Sequence, residues 1–274
     1  MIYSPTTMLH GSVEMPMHGL GVFQTADGEE VRNAVKWAIE DGYRLVDTAT
    51  IYRNESGVGR AIADSGVHRE EIFVTTKLWN SDQGYEATLR ALEASLERLG
   101  MDYVDLYLVH WPVDEMTADT WRAMEHIRSQ GVARAIGVSN FGSHHLDKLM
   151  AGANVAPSVN QVELHPNLQQ RDIRRANEAV GCHTQAWSPL KQGQVLTDTT
   201  IRDIAGEHGV TPAQVVIRWH LQMGVSTIPK SVNPDRIHEN ADVFGFSLST
   251  DDMTAMEALD DGDRIGPDPD NRDF

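Results

Sequence analysis

Four side chains in this 274-residue chain are of types that could move a proton together: Asp47, Tyr52, Lys77 and His110. Asp47 closes the apolar run 43–46, and Tyr52 follows five residues later in the stretch DTATIYRNESGVG, 47–59. Lys77 closes the next predicted strand and His110 the one after that. A lysine buried at a strand end needs a counter-charge, because an isolated charge there is costly, and Asp47 can supply it. An ammonium held beside Tyr52 is expected to lower the phenol from its usual pKa of about 10, making it a usable acid near neutral pH. His110 could hydrogen-bond the same oxygen. Any one of these residues alone reads as structure: an Asp–Lys ion pair, a core tyrosine, a satisfied histidine. Three consecutive strand ends delivering one titratable group each, plus the tyrosine, favour chemistry.

The elements that must position them repeat. Residues 7–17 read as a hairpin turning at Gly11-Ser12, and 18–23 as a first barrel strand. The stripe Val31, Ala34, Val35, Ala38, Ile39 predicts a helix over 28–41 that ends at Gly42. Strands follow at 43–47, 71–77, 103–110, 133–139, 158–161, 183–187 and 226–228, separated by helices near 54–64, 89–99, 118–130, 143–151, 170–180, 198–208 and 211–224. Thr211-Pro212-Ala213-Gln214 carries the N-cap, N1 and N3 residues of a strong helix start. Two more helices and a proline- and aspartate-rich tail, 265–274, lying over the surface, complete the chain. Strands alternating with helices predict a parallel sheet with crossover helices. Eight such units in this length suit a closed α/β fold: a (β/α)8 TIM barrel with an N-terminal β-hairpin and two extra C-terminal helices, a single domain over 1–274. The rival, an open doubly wound sheet, usually carries G-x-G-x-x-G after its first strand, and neither Gly19-Leu20-Gly21 nor Gly57-Val58-Gly59 has the third glycine.

Composition narrows the partners. A net charge of −17 argues against nucleic acid and anionic membrane surfaces. No run approaches the roughly 18 apolar residues of a membrane span. The opening MIYSPTTMLHGS lacks a signal-peptide pattern. A single cysteine, Cys182, which reads as a buried filler, fits a cytoplasmic setting. The 18 Arg against 5 Lys, and 23 Asp against 17 Glu, reflect either a compositional bias of the source or adaptation to high salt.

The segments GLGVF (19–23), DTATIYRNE (47–55), TKLW (76–79), DLYLVHWP (105–112), GVSNF (137–141), NQVELHP (160–166), AWSPL (186–190) and IPKSVNPDRIHEN (228–240) together resemble the aldo-keto reductase family over nearly the whole chain. The likeness is greatest to the short bacterial members that reduce glyoxal, methylglyoxal or 2,5-diketogluconate. The resemblance implies a catalytic tetrad of Asp47, Tyr52, Lys77 and His110, with NADPH giving a hydride to a carbonyl carbon and Tyr52 giving the proton. It implies no metal. It places Val22 and Asp47 at the cofactor, Ser139, Asn140 and Gln161 on the nicotinamide carboxamide, and Trp187 against the nicotinamide ring. Ser188, Leu190 and Gln192 would line the pyrophosphate, and Lys230, Ser231, Val232, Arg236, Glu239 and Asn240 the adenosine end. A guanidinium at Arg236 with Lys230 nearby favours the 2′-phosphate of NADPH over NADH, unless Arg236 merely pairs with Asp235 or Glu239. Phe23, Tyr52, Trp79, His110 and Trp111 would wall the substrate pocket. His165 belongs to the family signature without a ligand role.

The chain departs from longer members in its short loops after His110 and Leu190 and in its short tail, which implies an open pocket for small or polar carbonyls. Three alternatives stand beside the leading one: a 2,5-diketogluconate reductase, a cofactor-binding regulatory barrel with little turnover, and a metal-dependent barrel hydrolase. The last would need several histidines and carboxylates to converge. A monomer acting on a small-molecule carbonyl substrate is the expectation from the family.

Overall fold

A computed structural model describes residues 4–271. It opens with the antiparallel hairpin β1 (Thr6–Leu9) and β2 (Val13–Pro16). Eight parallel strands follow in chain order: β3 (Leu20–Gly21), β4 (Leu45–Asp47), β5 (Phe73–Leu78), β6 (Val104–Val109), β7 (Ala133–Ser139), β8 (Val159–Glu163), β9 (His183–Trp187) and β10 (Ser226–Thr227). Backbone hydrogen bonds from Gly19 to Thr227, Thr227 to Met17, and Gly21 to Pro229 join the first strand to the last, so the sheet closes on itself. Gly21 permits that closure, since a Cβ there would sit 2.6 Å from the Ile228 carbonyl oxygen.

The helices are α1 (Glu29–Glu40), α2 (Glu55–Asp64), α3 (Tyr85–Leu99), α4 (Thr117–Ser129), α5 (Ser143–Met150), α6 (Arg171–Ala179), α7 (Thr199–His208), α8 (Pro212–Gln222), α9 (Pro234–Ala241) and α10 (Thr250–Glu257). The expected alternation is there. Two helices follow β10, and the first of them, α9, packs beside α1. The Thr211–Gln214 capping box is formed, with Gln214 N–H donating to Thr211 Oγ1 at 3.3 Å and Thr211 N–H to Gln214 Oε1 at 2.9 Å. The first strand is shorter than the predicted 18–23, because only Leu20 and Gly21 are ladder-paired to β4. Lys77 is the penultimate residue of β5, and His110 lies one past the end of β6. The pair Gly57 and Gly59 serves helix packing: a Cβ on Gly59 would fall 1.9 Å from the Leu99 carbonyl oxygen at the end of α3. Residues 272–274 of the predicted tail lie outside the described residues.

Side-chain parity decides what faces the barrel axis. In β6, Leu106 and Leu108 join a core cluster with Leu45, Phe73, Ala135, Val159 and Ile228, while Tyr107 and Val109 pack in the outer layer under the helices. Leu9, Val13 and Met15 of the hairpin belong to the same inner cluster, so the hairpin floors the barrel at its N-terminal end. In β4, β5, β7 and β8 the outer layer takes Val46, Val74, Ile136 and Val162. A period of two then puts Asp47, Lys77, His110, Ser139, Gln161 and Glu163 on the axial face, all toward the C-terminal ends of their strands. Strands covered on both faces are largely apolar, and the charged side chains that face the axis gather at this end.

Candidate active site

Three of those axial residues, Asp47, Lys77 and Gln161, meet. The Lys77 ammonium is fully buried and donates to Asp47 Oδ1 at 2.5 Å, the Thr48 carbonyl at 3.0 Å and the Tyr52 hydroxyl at 3.4 Å. Asp47 uses its other oxygen to accept from Gln161 Nε2 at 2.7 Å, and Gln161 also donates to Gln185 Oε1 at 2.8 Å. Tyr52 sits on a single 3-10 turn, Thr50–Tyr52, that ends at Arg53 in the left-handed region (φ 57°). Asn54 fixes this turn: its amide donates to the Val22 and Thr25 carbonyls at 2.9 and 3.0 Å, and its oxygen accepts from Thr48 Oγ1 at 2.7 Å. One buried side chain thereby ties the loop after β3 to the loop after β4. His110 stands edge-on to both Tyr52 and Trp79, with ring centroids 5.7 and 5.3 Å away, and Phe23 lies 5.0 Å from Tyr52. Phe23 is 51% exposed, whereas Trp111 is buried.

Burial and charge set the protonation states. Burial presses the Lys77 ammonium down, but Asp47 and Tyr52 together carry it above its ordinary value, so it stays charged. Burial pushes the Asp47 carboxyl up, against the pull of Lys77 and of the Gln161 hydrogen bond. The sequence-based expectation for Tyr52 was a lowered phenol. In the structure its net direction is upward, because burial outweighs the Lys77 charge that pulls it down. His110 is driven well below its ordinary value by burial and by Lys77, so its ring is neutral. One of its ring nitrogens, Nδ1, is buried with no hydrogen-bond partner among the described residues.

The remaining candidates form a band around this centre. Ser139 donates to the Gln161 carbonyl at 2.8 Å. Asn140, in the left-handed region (φ 64°), donates to Ser139 Oγ at 3.1 Å and to the His110 carbonyl at 3.0 Å, and its oxygen accepts from Trp187 Nε1 at 2.8 Å. Val22 is buried and donates its N–H to the Asp47 carbonyl at 3.1 Å. After β9 the chain folds into a run in which Ser188, Lys191 and Gln192 all take left-handed φ values (47°, 48° and 54°), with Leu190 partly buried between them. Such dihedrals cost energy and concentrate at functional sites. Lys230, Ser231 and Val232 lie on the turn from β10 into α9, which carries Arg236, Glu239 and Asn240. Glu239 is engaged elsewhere, accepting from Thr211 Oγ1 at 2.7 Å. Lys36, Lys77, Lys148 and Lys191 each have a carboxylate partner. Among the described residues neither Lys230 nor Arg236 has one, leaving two uncompensated cations on the same turn and helix. That donor set, with the folded-back loop after β9, fits a phosphorylated dinucleotide. His165 Nε2 hydrogen-bonds Glu163 at 3.1 Å inside the core. The cavity of about 600 Å³ runs along α6 to the starts of β9 and β10, that of about 470 Å³ lies by the hairpin and the starts of β4–β7, and no candidate residue lines either.

Sequence reasoning passed over Asn54, Gln185 and Glu163. Each is polar and fully buried, but only Glu163 stands at a strand end, where a charged residue closing a strand offered a signal; Asn54 caps α2 and Gln185 is the middle of β9.

A closed barrel with an Asp–Lys–Tyr chain and a neutral histidine at the C-terminal strand ends is the signature of one class, and the chain belongs to the aldo/keto reductase family, whose model matches residues 17–261. It is therefore an NADP-dependent oxidoreductase. The glyoxal reductase of Bacillus subtilis (strain 168) is 54% identical over 97% of this chain and 96% of its own length. The methylglyoxal reductase DkgA of Escherichia coli (strain K12) is 48% identical over 93% and 94%. Among solved structures, a mutant of the Gox0644 protein in complex with NADPH superposes with a TM-score of 0.94 at 48% identity, covering 100% of both chains. No helix among the described residues is long and apolar enough to cross a membrane.

Proposed function

We propose that the chain, acting as one barrel over 1–274, reduces small aldehydes and ketones, glyoxal and methylglyoxal among them, with NADPH as the reductant. The observation that carries this reading is the buried chain Asp47–Lys77–Tyr52 beside a neutral His110. When bound, NADPH supplies the hydride. Tyr52 holds the proton that the developing alkoxide needs, and its upward-shifted phenol keeps that proton at neutral pH. Lys77, fixed by Asp47 and the Thr48 carbonyl, faces the Tyr52 oxygen and stabilises the phenolate left after transfer. A neutral His110 can hydrogen-bond the carbonyl without competing for the proton. Ser139, Asn140 and Gln161 offer the amide and hydroxyl groups that orient a carboxamide, and Trp187 offers a flat face. Lys230 and Arg236 receive the 2′-phosphate, as their lack of carboxylate partners supports. The aromatic group Phe23, Trp79 and Trp111 suits compact substrates.

NADPH oxidation with methylglyoxal, for wild type and Tyr52→Phe with NADH run alongside, tests the reading. Turnover with NADPH preferred, falling about 10²–10⁴-fold in the variant, supports it; full activity in Tyr52→Phe refutes the assignment of the proton donor. Comparing 2,5-diketogluconate in the same assay ranks the nearest alternative substrate.

A further inference from the structure

The tail crosses the same end of the barrel as this site, and its path is fixed. The Gly262 N–H donates to the Asn167 carbonyl at 2.8 Å, and Lys191 pairs with Asp263 at 2.5 Å. Glu163, the last residue of β8, then accepts from the Ile265 N–H at 2.7 Å and from the Gly266 N–H at 3.0 Å. Further along, Asp270 Oδ1 lies 3.3 and 3.8 Å from the Nε2 atoms of His144 and His145. That trio has the composition of a metal site. However, His145 Nδ1 accepts the Gly142 N–H at 3.1 Å, so in the neutral ring the proton sits on Nε2 and faces the carboxylate. The trio is a second attachment of the tail.

Glu163 is a fully buried carboxylate whose nearest arginine nitrogen, on Arg264, is 3.7 Å away. Burial opposes its charged form, but hydrogen bonds from His165, Ile265 and Gly266 outweigh burial and hold the carboxyl below its ordinary value. A buried carboxylate is tolerable only when so fully bonded, and here two of the bonds go to the tail. They set Gly266 directly on Trp187: a Cβ there would lie 2.3 Å from the indole Cη2 and 3.0 Å from Glu163 Oε2. The φ of Gly266 is not positive, so space, not backbone freedom, demands the glycine. The other edge of the same indole is held by Asn140. The ring is thus gripped at both edges.

We propose that Glu163 is a positioning residue: by clasping the Ile265 and Gly266 amides it seats the tail on Trp187 and fixes the indole face against which the nicotinamide ring packs. This rests on the reductase reading above. Glu163 itself touches no reacting atom. Because coupling between two binding events is reciprocal, a clasp that favours NADPH must be favoured by NADPH to the same degree. The Arg264–Ile265 peptide bond lies at the clasp, so tryptic cleavage there reports its opening.

Full-length wild type, Glu163→Gln and Gly266→Val are compared by calorimetric titration with NADPH and by the rate of cleavage after Arg264 with and without NADPH. The expected result is that NADPH slows cleavage in the wild type and that both variants bind NADPH about tenfold more weakly and are cleaved correspondingly faster. Their kcat at saturating NADPH stays within about threefold of wild type. Gly266→Val changes the tail and not the barrel interior, so it decides the matter if Glu163→Gln does not fold. Wild-type binding with unchanged affinity in the folded variants overturns the clasp alone, as does cleavage that ignores NADPH. A wild type that binds no NADPH overturns the cofactor reading and the clasp with it.

Discussion

At the scale of the residue, the site rests on the balance at Tyr52 between burial, which raises its pKa, and Lys77, which lowers it. Removing the ammonium leaves burial unopposed. Lys77→Met should therefore cut kcat by about 10²-fold or more and move the alkaline limb of the reduction profile to higher pH, as a pH series of kcat/KM would reveal. An unmoved limb would mean another group carries it. Arg236 is the second residue whose role is separable. Arg236→Ala should raise the KM for NADPH by about tenfold or more while leaving NADH nearly unchanged. Equal effects on both cofactors would remove the 2′-phosphate from its role. Much of the site is legible in the sequence because its side chains are chemically improbable where they stand: an aspartate, a lysine and a histidine each at the end of a predicted strand. The direction of the Tyr52 shift was not legible. A neighbour's charge can be read from residue order, but the depth of burial depends on Phe23 and His110 closing around the ring from other loops.

At the scale of the element, strand parity does most of the positioning, and it was hidden in the sequence by strands apolar on both faces. The alternation of Leu106 and Leu108 with Tyr107 and Val109 shows which face is axial only once the inner and outer cores are seen. Element order and type are readable from periodicity, but the strand predicted over 18–23 shortens to Leu20–Gly21, since His18 makes only an isolated bridge to Thr227 and the chain turns at Phe23. Loop-to-loop ties such as Asn54 were invisible, because the carbonyls it satisfies are 29 and 32 residues away. Asn54→Leu strips the Thr25 carbonyl of its Asn54 donor and leaves the Val22 carbonyl only the Thr25 N–H. It should destabilise the fold by about 1–3 kcal/mol in urea titration and lower activity beyond what stability explains, by loosening the turn that carries Tyr52. Activity that stays at the wild-type level in the folded fraction would show the turn to be rigid without it.

At the scale of the molecule, buried neutral histidines link stability to pH. Burial lowers His18, His183 and His220 to about 4, and burial with the Lys77 charge holds His110 well below its ordinary value. The His18 hydrogen bonds fit a neutral ring: the Tyr43 hydroxyl donates to the Ile237 carbonyl and so accepts from His18 Nε2, leaving Nδ1 to accept from Thr227 Oγ1. Between pH 4 and about 6.5 the unfolded chain binds protons that the folded chain refuses, so stability falls as pH falls through that window, by up to about 1.4 kcal/mol per unit for each such histidine. Urea midpoints at pH 5 should lie below those at pH 7.5, and His18→Asn should flatten the slope; a midpoint that rises on acidification would contradict the neutral assignment. The net charge of −17 gives a separate test. If the acidic surface is a salt adaptation, activity persists or rises at molar salt, and a steep loss there assigns it to compositional bias.

The one thiol in the chain has a use of its own. Cys182 is buried at the start of β9, and burial pushes its thiol far above the ordinary range, so almost no thiolate exists in the native barrel. Soft electrophiles, the α-oxoaldehydes among them, react with thiolates and find none here. A maleimide dye should therefore label this protein only when that strand opens, making Cys182 a built-in clock for opening events that leave no trace in a turnover assay.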